Sequence, residues 1–194
     1  MKFLEPTTGE RLSPSAYLAL CKTHFIGNWH YYLAPLVAVI LFQTFFRFDV
    51  NYTESLPDHV FITVKGWKTG FKHGDYVAYR FPTENPASPF RKGDHMVKVI
   101  GGIAGDRVEI MADGQVKLHR TDDTEATKLM GGHSMGIAKP ISRAGKPLVA
   151  SRSGVIPEGA YYVFAPHKDS LDSRYEMVGL VREEDIIGKS FPIF

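Results

Sequence analysis

The densest apolar run in the chain covers residues 31–46, YYLAPLVAVILFQTFF, with no charge and one strongly polar position, Gln43. Extended to Trp29 and Phe48, it supplies about the twenty residues that a bilayer-spanning helix needs. Trp29, Tyr31 and Tyr32 mark one end and Phe45, Phe46 and Phe48 the other, as in an interfacial aromatic belt. A buried core helix is the competing reading, but Pro35 would weaken a soluble helix. A cleaved leader fits less well, because about thirty polar and aromatic residues precede the run and no small-x-small site follows it. Ser13-Pro14 reads as a cap and first turn, predicting a short helix over residues 15–22.

After this run the pattern changes to short alternating segments separated by turn residues. Strands are predicted at residues 60–64, 75–81, 95–101, 107–111, 115–119, 161–165 and 177–181. Asp113-Gly114, between two alternating runs, predicts a tight hairpin. Residues 82–89 read as a surface loop, and residues 121–147 as an insertion with little regular structure. No alternating βα pattern is present. The expected fold is therefore mainly β, a partly closed antiparallel sheet system behind an N-terminal transmembrane helix. The expected organisation is a cytoplasmic segment at 1–28, a membrane helix at 29–48 and a periplasmic domain at 49–194. Lys2, Arg11 and Lys22 precede the span and only Arg47 closely follows it, which favours an inside N-terminus at the inner membrane.

Composition narrows the classes further. The chain has 194 residues, a formal charge of +2 and 44% hydrophobic residues, which suits one packed domain and an accessory segment. Basic and acidic residues are mixed, so no basic stripe points to nucleic acid. Cys21 is the sole cysteine, which excludes an internal disulfide.

Two features carry candidate chemistry. Lys98 sits in Met96-Val97-Lys98-Val99-Ile100, and a lysine buried in such a strand loses solvation, which disfavours its charged form. The plain alternative is a lysine whose stem lies on apolar surface with its head in water. Ser55 follows the apolar run closely, with Pro57 stiffening the chain after it. A neutral lysine can take the proton of such a serine, and the pair would serve a hydrolase without histidine or acid. Thr53 shares a side with Ser55 if the segment is extended, and its hydroxyl suits an oxyanion beside the Ser55 N–H. In the cluster Asp169-Ser170-Leu171-Asp172-Ser173-Arg174, Ser170 can orient an amine, while Asp172 and Arg174 are close enough to pair locally.

Other matches are weaker. Gly132-His133-Ser134-Met135-Gly136 fits the nucleophile-elbow pattern, but lacks a strand before it and a helix after it. His95, His133 and His167 lack metal-ligand spacing, so no metal is expected. Trp67 and Phe71 among Lys65, Lys68 and Lys72 suit either lipid headgroups or ordinary hairpin packing.

Taken in order, Ser55-Leu56-Pro57, then Lys98 through Gly102-Ile103-Ala104-Gly105-Asp106, then Ser170-Leu171-Asp172-Ser173-Arg174 resembles the type I signal peptidases. The resemblance is strongest to the TraF-type peptidases of conjugative plasmids. It covers roughly residue 51 to the C-terminus apart from the insertion, and includes residues 156–164 and 178–189. It implies Ser55 as nucleophile and Lys98 as general base. It further implies Thr53 at the oxyanion hole, Ser170 orienting the lysine, and Asp172 with Arg174 as structural support. Three positions depart from the usual pattern. Leu56-Pro57 replaces Met-x-Pro after the serine, Ala104 replaces a common proline, and Asp58-His59-Val60-Phe61 replaces a glycine-containing stretch. The implied activity is a cofactor-free serine endopeptidase that processes a secreted precursor. The substrate suggested is a conjugative propilin, with cyclisation as an option and other conjugation components as partners. A general leader peptidase and a noncatalytic membrane-tethered assembly factor are the alternatives.

Overall fold

The computed structural model describes residues 13–52 and 55–193 and divides the chain into two units, Met1–Thr44 and Phe45–Phe194. The first is built on helix α1 (Pro14–Phe45), whose last residue belongs to the second. Ser13 caps it by accepting from the Ala16 N–H at 3.2 Å, and Pro14 fills the first turn, where no N–H is needed. The expected short helix over 15–22 is not separate: it continues into the apolar run, with one break at Asn28 (φ −123°, ψ 17°). There the Asn28 amide donates to the His24 carbonyl at 2.9 Å. Pro35 is accommodated inside the helix. None of the helix side chains is buried, and α1 is long and apolar enough to cross a membrane.

The helix stops short of the expected boundary at Phe48. Residues Phe46–Val50 form strand β1, whose Arg47 and Asp49 alternate with apolar neighbours. Asp49 is buried, accepting from Thr63 Oγ1 at 2.6 Å and pairing with Arg47. Aromatic content concealed this two-residue period, because Phe46 and Phe48 suit a membrane interface equally well.

The remaining strands are β2 (Val60–Lys65), β3 (Tyr76–Arg80), β4 (His95–Gly102), β5 (Arg107–Ile110), β6 (Gln115–His119), β7 (His133–Ile137), β8 (Gly154–Val155), β9 (Ala160–Phe164), β10 (Val181–Arg182) and β11 (Ile186–Pro192). A short helix, α2 (Glu125–Leu129), lies between β6 and β7. Seven strands form one antiparallel sheet in the order β1-β2-β11-β3-β4-β9-β10. Four form a second, β7-β6-β5-β8, also antiparallel. The larger sheet ends on β1 and β10, so its ladder does not close on itself.

The fold is mainly β, as expected, with two local corrections. Residues 177–181 are chiefly turn, contributing only Val181 to a two-residue strand. Residues 121–147 are better ordered than their polarity suggests: they hold α2, capped by Thr124, then β7 and a bridge from Ile141 to Pro147. Met135 and Ala138 supply the apolar anchors, spaced too widely for a local periodicity to reveal them.

One core cluster joins both sheets through Tyr79, Ile100, Val108, Leu118, Met135 and Tyr162. A second, smaller cluster gathers Leu56, Phe61 and Ala165 with Tyr76, Val97 and Val99. Strand alternation thus divides β4: Val97 and Val99 pack into the smaller cluster, while Met96, Lys98 and Ile100 take the other face.

Candidate active site

Ser55 lies in the connection between β1 and β2. Asn51 ties this loop: its N–H donates to the His59 carbonyl at 2.8 Å, and its side-chain amide reaches the Leu56 and Asp58 carbonyls at 3.4 Å. Leu56, 3% exposed, sinks into the smaller core cluster and pins the residue beside Ser55. Leu56 and Pro57 lie in a bend, where the proline disfavours a helical backbone at Leu56. Thr53 lies outside the described residues.

Lys98, from the middle of β4, meets this loop. Its Nζ is 2.8 Å from Ser55 Oγ and 2.9 Å from Ser170 Oγ. Ser55 Oγ also donates to Asn51 Oδ1 at 3.4 Å, a contact with no sequence signal of its own. Lys98 is only 2% exposed, and Ser55 and Ser170 4% each. Burial lowers the lysine pKa from its ordinary value of 10.5 to about 8; Asp172 nearby raises it and Arg174 lowers it further. The reading of a lysine with its head in water does not hold for this side chain.

Ser170 is presented by the turn after β9, closed by the Ser170 N–H to the His167 carbonyl at 3.0 Å. Behind it, Arg174 and Asp172 form a two-pronged pair, Nε to Oδ1 and Nη2 to Oδ2, both 2.8 Å. The same Nη2 donates to the carbonyls of His167 at 3.1 Å and Ser170 at 3.2 Å. Asp172 accepts in turn from the Ala165 N–H at 3.1 Å. Both side chains are buried, and removing one partner of such a pair costs about 3–5 kcal/mol because the other charge is left uncompensated. The pair therefore fixes the turn that holds Ser170 against the lysine.

Two supports lie in motifs to which the sequence assigned no such role. The Asp106 carboxylate, fully buried, accepts from the N–H groups of Ile103 and Thr121 and bonds His73 Nε2 at 2.6 Å. It closes the turn after β4, where Gly105 takes φ +90°. The second is Gly136, on β7 with φ +93°, where a Cβ would lie 2.8 Å from Arg174 Nη1. The glycine of the elbow-like motif thus makes room for the arginine. Its Ser134 is exposed on an antiparallel strand that follows a helix, the reverse of the strand-to-helix turn an elbow requires. Gly136→Ala is expected to destabilise the domain by about 1–3 kcal/mol, through backbone strain and displacement of Arg174. Urea unfolding checks this, and an unchanged midpoint would remove Gly136 from the support.

The dyad opens into a cavity of about 500 Å³ whose lining includes Tyr52, Phe90, Met96, Leu148, Leu171 and Tyr175. A cleft with a serine hydroxyl and a buried amine in contact at its wall is an arrangement compatible with acyl transfer. A neutral Lys98 can accept the Ser55 proton over 2.8 Å while donating to Ser170, which holds the amine lone pair towards Ser55.

Residues 26–194 match the family model described as signal peptidase, peptidase S26. None of the curated proteins matches the chain. Solved structures match as well, among them a signal peptidase I from Enterococcus faecalis V583. It is 20% identical, with 62% of this chain and 97% of that one covered, at a TM-score of 0.35.

Proposed function

The chain belongs to the peptidase S26 signal peptidase family, and from that premise we propose that Ser55 and Lys98 are the catalytic dyad of a membrane-anchored endopeptidase that processes a secreted precursor. The observation that carries the assignment is the 2.8 Å contact between Ser55 Oγ and a buried lysine whose pKa falls to about 8. Neutral Lys98 takes the Ser55 proton as Oγ bonds to the scissile carbonyl carbon. The oxyanion rests on the Ser55 N–H, with the Thr53 hydroxyl as second donor. Collapse breaks the C–N bond, and the Lys98 ammonium gives its proton to the leaving amine. Water then loses a proton to Lys98, attacks the ester and frees Ser55. Ser170 orients the amine, and Asp172 with Arg174 holds Ser170. No metal or organic cofactor takes part.

The substrate is an extended segment of an exported protein, bound by strand addition. Helix α1 tethers the domain to the inner membrane. The excess of Lys and Arg before it supports a periplasmic domain. Ser55-Leu56-Pro57, with no Met-x-Pro, supports a propilin of a conjugative transfer system as the precursor. An amine of the same pilin chain can replace water at the acyl-enzyme, which closes a ring. Mass spectrometry of a precursor panel, each co-expressed with this protein, tests the substrate. Shortened or cyclic pilin with other precursors intact is the expected result. Cleavage across the panel would instead assign a general leader peptidase.

A further inference from the structure

Residues 139–147 belong to the segment whose sequence pattern suggested little order, yet several of them, with the adjoining Leu148, line the cavity that holds Ser55 and Lys98. They form a small hairpin. Ile141 pairs with Pro147, the Ser142 N–H donates to the Lys146 carbonyl at 2.8 Å, and Gly145 turns with φ +73°. Its base is tied to the Ser170 loop: the Lys139 N–H donates to Tyr175 Oη at 3.2 Å, and the Lys139 ammonium pairs with Asp169. Its other side is tied to the 82–90 loop by Lys146 Nζ, which donates to the Pro86 carbonyl at 2.6 Å. The hairpin is therefore a fixed wall of the cleft.

That wall is basic. Apart from Lys98, the cavity lining carries Lys139, Arg143, Lys146 and His167 against one carboxylate, Asp169, which Lys139 engages. The Lys146 ammonium donates to a carbonyl, and among the described residues it makes no ion pair. Arg143 sits at the exposed tip, where its charge also acts on Asp169, and among the described residues it makes no ion pair within 4 Å. A guanidinium offers a planar pair of donors that matches a carboxylate.

We propose that Arg143, backed by Lys146, is a specificity residue that reads a carboxylate of the substrate peptide near the scissile bond. Arg143 and Ser55 line the same cavity of about 500 Å³, so the carboxylate it reads lies a few residues from the cut. Its source is an Asp or Glu side chain or the chain end. Both cations reach water, so the preference weakens as salt rises. This inference rests on the peptidase reading of the same site.

The test uses the full chain in detergent micelles and a synthetic peptide library read by mass spectrometry. Positions around each cut carry Glu, Gln or Lys, with the C-terminus as free acid in one arm and amide in the other. Wild-type protein is expected to cut Glu peptides about tenfold faster than their Gln counterparts within a few residues of the cut. Arg143→Glu should reverse that ratio towards Lys, and Arg143→Lys should retain part of it. A preference seen in the free-acid arm alone assigns the carboxylate to the chain end. Equal Glu and Gln rates in the wild type, or a ratio unchanged by Arg143→Glu, overturn the proposal. If wild type cuts no more than Ser55→Ala, the peptidase reading itself fails and the inference falls with it.

Discussion

Lys98→Arg is expected to lower turnover by at least about a thousandfold, because guanidinium keeps its proton at any working pH and cannot act as a base. The variant retains positive charge and a long side chain, so a loss of activity isolates the proton-accepting role from simple occupancy. The wild type carries a matching signature. With a pKa of about 8, Lys98 is protonated below that value and neutral above it. Cleavage should therefore rise with pH through about 8 and level off above, with about a tenth of the enzyme competent at pH 7.

The same group ties activity to stability. Its folded pKa lies below the ordinary 10.5, so the unfolded chain binds more protons between those two values. Stability is penalised in full below about pH 8, and the penalty fades as pH rises to 10.5. At 1.36 kcal/mol per pH unit the difference is about 3 kcal/mol. Lys98→Met should lose this pH-dependent rise together with all activity. Thermal unfolding between pH 7 and 10.5 gives one measure and peptide cleavage the other. An active Lys98→Arg variant, or a flat activity profile across pH 7–9, would contradict the neutral-lysine mechanism.

Ser55→Ala is the second large effect. It removes the proposed nucleophile while deleting one buried hydroxyl, so cleavage should fall by about four orders of magnitude with the fold retained. The hydroxyl bonds Lys98 and Asn51, whose other contacts keep both in place: Ser170 for the amine, the Leu56 and Asp58 carbonyls for the amide. A serine-directed acylating probe of the β-lactam type should label Ser55 in the wild type and nothing in the variant, as read by intact-mass spectrometry. Processing that persists in Ser55→Ala would remove this residue from the mechanism. Absence of both labelling and cleavage in the wild type would favour a noncatalytic assembly factor on the peptidase fold.

The chemistry was legible because it depends on local pattern. Lys98 among Met96, Val97, Val99 and Ile100 marks a candidate buried amine, and the packing on β4 decided its burial. Ser170, Asp172 and Arg174 sit so close in sequence that their turn and pair can form locally. The C-terminal end of α1 was misjudged because Phe46 and Phe48 serve a membrane interface and a strand alike. The 139–148 hairpin was missed because its anchors, Tyr175, Asp169 and Pro86, are distant in sequence.

The amino-acid order by itself determined an apolar helix, the β character of the domain beyond it, and which strand carries a lysine among apolar neighbours. Side-chain alternation and residue size act over a few positions, and no partner is needed to read them. Tertiary structure alone decided that Ser55 and Ser170 converge on one amine, across 43 and 72 residues. It also placed β11 between β2 and β3, left the larger sheet open, and set a basic hairpin into the cleft. Those outcomes depend on which distant segments bury each other, and pairing of that kind leaves no periodic trace along the chain.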